Sequence, residues 1–180
     1  QTYPNKEYIV IDGQSSDNTI NIIKENNDKI NLWSSEKDSG IYDAINKGIT
    51  KATGEIIGLL HSDDIFTNEF VISQVAKAFE KEECDSVYGD LVYVNSSGKI
   101  LRVWKSGNYT PSKLLNGWMP PHPTLFVRKE IFEKYGLYRT DMEIAADYEM
   151  ILRLFYKHKI TTNYLPLTTY CMTIGGASNK

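Results

Sequence analysis

Short apolar runs alternate with amphipathic helical stretches through the first half of the chain, the pattern of a sheet whose strands are joined by crossover helices. Residues 8–11 are a β-branched run stopped by Asp12-Gly13, and a helix starts near Ser16 or Asp17, turning Ile20 and Ile23 inward. Residues 31–34 read as a second strand. Ile41, Ala44, Ile45, Gly48, Ile49 and Ala52 then fall on one helical stripe that Gly54 can end, with Gly48 suggesting close backbone packing. Residues 56–60 form an unbroken apolar strand, expected to be buried on both faces, that runs into His61-Ser62-Asp63-Asp64.

A helix over 68–82 follows, with Ile72, Val75, Ala76 and Phe79 inward, and strands over 86–94 and 100–104 flank Ser96-Ser97-Gly98 as a hairpin. Beyond it the pattern predicts a proline-stiffened loop at 117–123, a strand at 124–127, a helix at 129–135 and a last helix over 147–156. Glu149 and Arg153, four apart on that helix, suit a surface ion pair worth about 0.3–0.5 kcal/mol. These elements give an α/β fold with a mostly parallel, Rossmann-like sheet flanked by helices.

Composition narrows the function. The 180 residues are enough for one domain, and 41% hydrophobic with 24% charged residues is a globular balance. The net charge of −3, with no block of like charges, lacks the basic footprint of a nucleic-acid binder. Cys84 and Cys171 have no metal-ligand spacing and read as reduced thiols of a cytosolic protein. The apolar runs fall far short of the roughly 18 residues that a membrane helix needs.

Ligand crevices of open α/β sheets lie beyond the carboxyl ends of the strands, where Asp12 and the Asp63-Asp64 pair stand. Two unit charges about 4 Å apart repel by roughly 4 kcal/mol at an effective dielectric near 20, so crowded carboxylates attract a cation. Mg²⁺ or Mn²⁺ is commonly held by one or two carboxylates plus water and substrate phosphates. The same Asp-Asp also suits a turn before a helix. No phosphate-cradling glycine motif is present, and Gln14 stands where a phosphoaspartyl enzyme would carry its second Asp. Asp147 suits a helix N-cap as well as a chemical role, and His122, among Pro120, Pro121 and Pro123, reads either as held over the crevice or as an exposed loop residue.

The stretches YIVIDGQSSDNT (8–19), EKDSGIYDAINKGITKATGEIIGLLHSDD (36–64) and IAADYEMILRL (144–154) together resemble the family 2 glycosyltransferases of the GT-A fold. YGDLVY (88–93), GWMPPHPTLFVRK (117–129) and GGASN (175–179) resemble the bacterial branch that builds capsule or O-antigen polysaccharide. The resemblance implies one catalytic domain over 1–180. It makes Asp12 and Asp38 nucleotide contacts, Asp63 a contact to the donor ribose, and Asp63 with Asp64 the holders of a Mn²⁺ or Mg²⁺ ion. Asp147 becomes the base that deprotonates the acceptor hydroxyl, with inversion at the anomeric carbon. His122 and Trp118 become candidate contacts to the acceptor or the sugar.

The implied partners are a nucleoside-diphosphate sugar, UDP by family habit, and a saccharide or lipid-linked acceptor. The implied place is the cytoplasm, with room for peripheral association at the inner membrane face. His61 stands where many members carry the first Asp of Asp-x-Asp, and Ile45 where many carry an Arg. Relatives also carry a further inner strand, of roughly 30 residues with its loop, ahead of the segment matching Gln1. The expectation is therefore an N-terminally truncated domain with unpaired strand edges, either weakly active or filled by a homo-oligomer. A sugar-phosphate nucleotidyltransferase and a non-catalytic acidic-pocket module are the alternatives.

Overall fold

The computed structural model describes residues 1–174, so the Gly175–Asn179 stretch of the resemblance lies outside the described residues. In chain order the elements are β1 (Ile9–Asp12), α1 (Thr19–Glu25), β2 (Leu32–Ser35), α2 (Ile41–Lys51), β3 (Ile56–Ile57), β4 (Ile65–Phe66) and α3 (Val71–Lys81). They continue with β5 (Ser86–Val94), β6 (Ile100–Trp104), α4 (Pro111–Leu115), β7 (Phe126–Arg128), α5 (Lys129–Tyr135), α6 (Ala146–Ile151) and β8 (Thr162–Thr173). A 3₁₀ turn at His122–Thr124 precedes β7, and α6 runs on as a π-helical stretch, Leu152–Lys157.

The main sheet has the order β3-β7-β5-β8-β4, with β6 beside β5. Strand β5 separates two apolar layers because alternate side chains of a strand point to opposite faces. Val87 joins Val71, Val75, Ala78 and Phe79 of α3, whereas Tyr88 joins Ile45 and Ile49 of α2, Ile131 and Phe132 of α5, and Met150 and Ile151 of α6. Val71 takes the inward place expected of Ile72, which sits half-buried, so the buried stripe of α3 starts one residue earlier than the sequence suggests.

The sheet is mixed rather than purely parallel. Only β1 with β2 and β5 with β8 pair in parallel, and the other pairings are antiparallel. The sheet also falls into two pieces, since β1 and β2 form a two-stranded sheet of their own. Among the described residues, β1 is laddered only to β2 and β3 only to β7, so each keeps one free edge. That one-sided pairing shortens the expected 56–60 strand to Ile56–Ile57 and leaves Leu60 43% exposed rather than buried.

Helix α2 ends where Ala52 turns extended, not on a left-handed Gly54, and the Thr53 and Gly54 amides are taken up by the Glu7 carboxylate at 2.7 and 3.3 Å. Gly48 lies against Ile11 of β1, but a Cβ there would meet Ile11 at an ordinary 3.5 Å, so close packing does not demand the glycine. Arg153 is no surface residue. Its side chain is 14% exposed and its guanidinium forks onto both Glu149 oxygens while donating to the carbonyls of Tyr135, Gly136 and Leu137 at the end of α5. Cys84 and Cys171 are free thiols, and among the described residues no helix is long and apolar enough to cross a membrane.

Candidate active site

Asp12 ends β1 with its carboxylate buried. It accepts the Ser15 amide at 3.1 Å, the Ser15 hydroxyl, and the Ser35 hydroxyl from the end of β2 at 2.6 Å. Burial pushes its pKa up, but the Ser15 and Ser35 hydroxyls and the Ser15 and Gln14 amides outweigh that and hold it below the usual carboxylate value. Gly13 lets the backbone pass Asp38, because a Cβ at residue 13 would strike the Asp38 carboxylate. Asp38 in turn accepts the Gly40 amide at 3.0 Å, and Asp43 reaches back to the Ser39 amide at 3.0 Å, so both acids anchor the start of α2.

The start of α2 presents Tyr42, whose hydroxyl donates to Oδ1 of Asp147 at 3.2 Å. The Tyr148 amide donates to the same oxygen at 2.9 Å. Ala145, in the left-handed region at φ 68°, is the N-cap of α6, and no side chain caps that helix. Asp147 therefore lies in the first turn of α6 and not at its cap.

Behind Tyr42 the Tyr138 ring lies stacked, with centroids 5.9 Å apart. The Tyr138 hydroxyl shares a 2.8 Å hydrogen bond with Nε2 of His122. His122 is neither exposed nor held over a crevice: it is 8% accessible, its imidazole turned inward by the 3₁₀ turn it begins. Burial pushes its pKa down to about 4, with the Asp147 charge opposing and His61 adding to the shift, so the ring is neutral near pH 7. The His61 ring stands 6.4 Å from that of His122.

His61 joins this cluster to the acids after β3. Burial lowers its pKa, and the charges of Asp64, Asp63 and Asp147 all pull against that effect. The buried Tyr170 hydroxyl accepts the His61 amide at 2.9 Å. Asp64 is 6% exposed and accepts the Thr173 amide of β8 at 3.0 Å, while Asp63 faces solvent. Burial raises the Asp64 pKa, and the neighbouring Asp63 charge adds to it against the Thr173 amide. Among the described residues, no three His, Cys, Asp or Glu side chains are grouped to hold a metal, so His61 does not complete a ligand set with the two acids.

Trp118 stands apart from this cluster. Its indole N–H donates to the Ser106 carbonyl at 3.2 Å, and its ring meets Tyr88 edge-on, Tyr109 in a stack and the Lys113 ammonium at 5.7 Å. With these neighbours in place it is a packing residue rather than an open platform for a sugar. Tyr42, Asn46, Tyr138, Tyr170 and Thr173 escaped the sequence reading. Tyr42 lay within the quoted 36–64 stretch, just off the apolar stripe, and that offset was the signal available.

Residues 1–136 match the model of glycosyl transferase family 2. The chain belongs to that family. An uncharacterized glycosyltransferase of Mycobacterium tuberculosis is 34% identical over 82% of this chain, which spans 56% of that protein's length. A PGL/p-HBAD biosynthesis glycosyltransferase of the same species is 29% identical over 99% of this chain and 70% of its own. Staphylococcus aureus TarS superposes with a TM-score of 0.76 at 21% identity, over 97% of this chain and 32% of TarS. TarS residues 1–349 in complex with UDP-GlcNAc superpose at 0.74 and 17% identity, over 95% of this chain and 50% of that one. At these identities the structural likeness shows the fold, which is the GT-A type of this family.

Proposed function

We propose that this domain transfers a sugar from a nucleoside-diphosphate donor to a hydroxyl of a saccharide or lipid-linked saccharide, with inversion, and that Asp147 is the general base. The observation that carries this reading is the Asp147 carboxylate itself. It does not cap its helix, it is pinned through Oδ1 by Tyr42, and it sits with His61 and His122 on the side of the molecule where Asp63 and Asp64 lie. In the reaction the acceptor O–H gives its proton to Asp147 and its oxygen bonds to the anomeric carbon. The bond from that carbon to the diphosphate breaks, and its electron pair leaves with the nucleoside diphosphate.

Asp12 at the end of β1 and Asp38 between β2 and α2 come from two neighbouring loops, packed together at Gly13, where a nucleotide would lie. UDP is the favoured donor nucleotide because TarS, which shares this fold, is known in complex with UDP and UDP-GlcNAc. The acids after β3 suit a Mn²⁺ or Mg²⁺ ion held by two carboxylates at most: Asp64 is crowded above its ordinary pKa by burial and by Asp63, a repulsion that a divalent cation relieves. Such an ion, when bound, neutralises charge on the departing diphosphate.

A panel of UDP-sugars, UDP-GlcNAc among them, tests the reading through UDP release in the presence of simple glycoside acceptors. Asp147→Asn should lower turnover by about 10²- to 10⁴-fold while donor affinity stays within about twofold. Undiminished transfer by Asp147→Asn removes the base assignment, and nucleotide binding without turnover on any donor favours a binding module.

A further inference from the structure

We propose that Tyr42 is a positioning residue for Asp147, fixing which carboxylate oxygen receives the proton. The inference rests on the reading of Asp147 as base and adds to it the oxygen that acts and the group that selects it. Both donors to the carboxylate, the Tyr42 hydroxyl and the Tyr148 amide, converge on Oδ1. Oδ2 takes no hydrogen bond from the described residues and is not among their fully buried unpaired atoms, so among these residues it keeps some solvent contact. A carboxylate with one oxygen engaged twice and the other free has one orientation and one accepting site, the preorganisation that a general base needs.

Tyr42 is itself held from three sides. It occupies the second residue of α2, whose start is tied down by Asp38 and Asp43. Its ring stacks on Tyr138 at an interplanar angle of 11°. Tyr138 is fastened in turn to Asn46, one helical turn beyond Tyr42, through both its amide and its carbonyl. Burial and the Asp147 charge both raise the Tyr42 pKa, so its hydroxyl keeps its proton and remains a donor. The other titratable groups acting on this corner are His61 after β3, His122 before β7 and Tyr138 after α5, none of which donates to Asp147.

The test is a ¹³C-carboxyl NMR spectrum at fixed neutral pH of the ligand-free 180-residue chain as wild type, Tyr42→Phe and Asp147→Asn, the last identifying the Asp147 signal. Phenylalanine preserves the ring stack and removes only the donor, so thermal unfolding should move little. A carboxyl signal responds to the donors its oxygens accept, so loss of the Tyr42 hydroxyl should displace the Asp147 signal in Tyr42→Phe. With the donor chosen from the UDP-sugar panel, kcat should fall about 10- to 100-fold with donor KM unchanged. Tyr42→Phe should also add little to Asp147→Asn, because both act through one group. An unmoved Asp147 signal, or full kcat in Tyr42→Phe, overturns the proposal. Full activity in Asp147→Asn overturns the base assignment instead, and the spectrum still reports on the Tyr42 bond.

Discussion

Asn46 and Tyr138 exchange two hydrogen bonds, the Asn46 side chain donating to the Tyr138 carbonyl at 2.8 Å and accepting the Tyr138 amide at 2.9 Å. One side chain thus satisfies a whole backbone unit, as a neighbouring strand would. The loop after α5 is locked to α2, and the Tyr138 side chain is delivered between Tyr42 and His122. Asn46→Ala should cost about 1–3 kcal/mol, the worth of two hydrogen bonds in a half-buried setting. Urea unfolding measures this, and kcat should fall along with the loss of Tyr138 alignment. A stability change below about 0.5 kcal/mol would contradict the role.

His122 gives the fold a signed acid response. Its pKa is pushed down to about 4 in the folded state, against 6.5 for the free side chain. Between these values the unfolded chain binds a proton that the folded chain refuses. Its stabilising effect is therefore complete above about pH 6.5 and is lost as pH falls toward about 4. At about 1.4 kcal/mol per pKa unit the loss is of order a few kcal/mol. Unfolding midpoints at pH 7 and pH 5 should separate clearly in the wild type and much less in His122→Asn, whereas equal slopes in the two proteins would count against the buried neutral imidazole.

Arg153 closes the end of α5 while sitting on the helix that carries Asp147. Arg153→Ala would leave a largely shielded Glu149 and three carbonyls without their donor, a loss of roughly 2–4 kcal/mol. Calorimetric unfolding should show a drop of several degrees, and Arg153→Lys should recover only part of it because an ammonium cannot reproduce the fork. A shift of under one degree would return the pair to the surface value of about 0.3–0.5 kcal/mol.

Among the described residues, β1 and β3 each keep one edge without a ladder partner, and another strand can pair there. Sedimentation velocity over a range of concentrations should therefore show self-association. A strictly monomeric chain at the highest soluble concentration would argue that these edges are protected in another way.

Much of the layout was legible where periodicity was strong. The stripe of α2, the hairpin of β5 and β6, and α5 all lie where the apolar pattern puts them. The longest strand, β8, was not, and its sequence says why. Pro166 interrupts it, a signal against an inner strand, yet the register with β5 jumps from Tyr88↔Tyr164 to Asp90↔Thr168, and the proline falls inside that irregularity. Without β8 the setting of Asp64 could not be foreseen, because its hydrogen-bond partner, the Thr173 amide, belongs to that strand. The acids themselves stood out by type and place, whereas the aromatic hydroxyls that orient them come from distant segments and carry no local pattern.

The central claim is that the acids after β3 and the loop after β1 together hold a cation-bound nucleotide beside Asp147. Calorimetric titration of UDP into the wild type, Asp63→Asn and Asp64→Asn, each with and without Mn²⁺, tests it most directly. The expected result is binding by the wild type that depends on Mn²⁺ and weakens by about tenfold or more in both variants. UDP affinity that is the same in all three proteins and indifferent to the cation would contradict it.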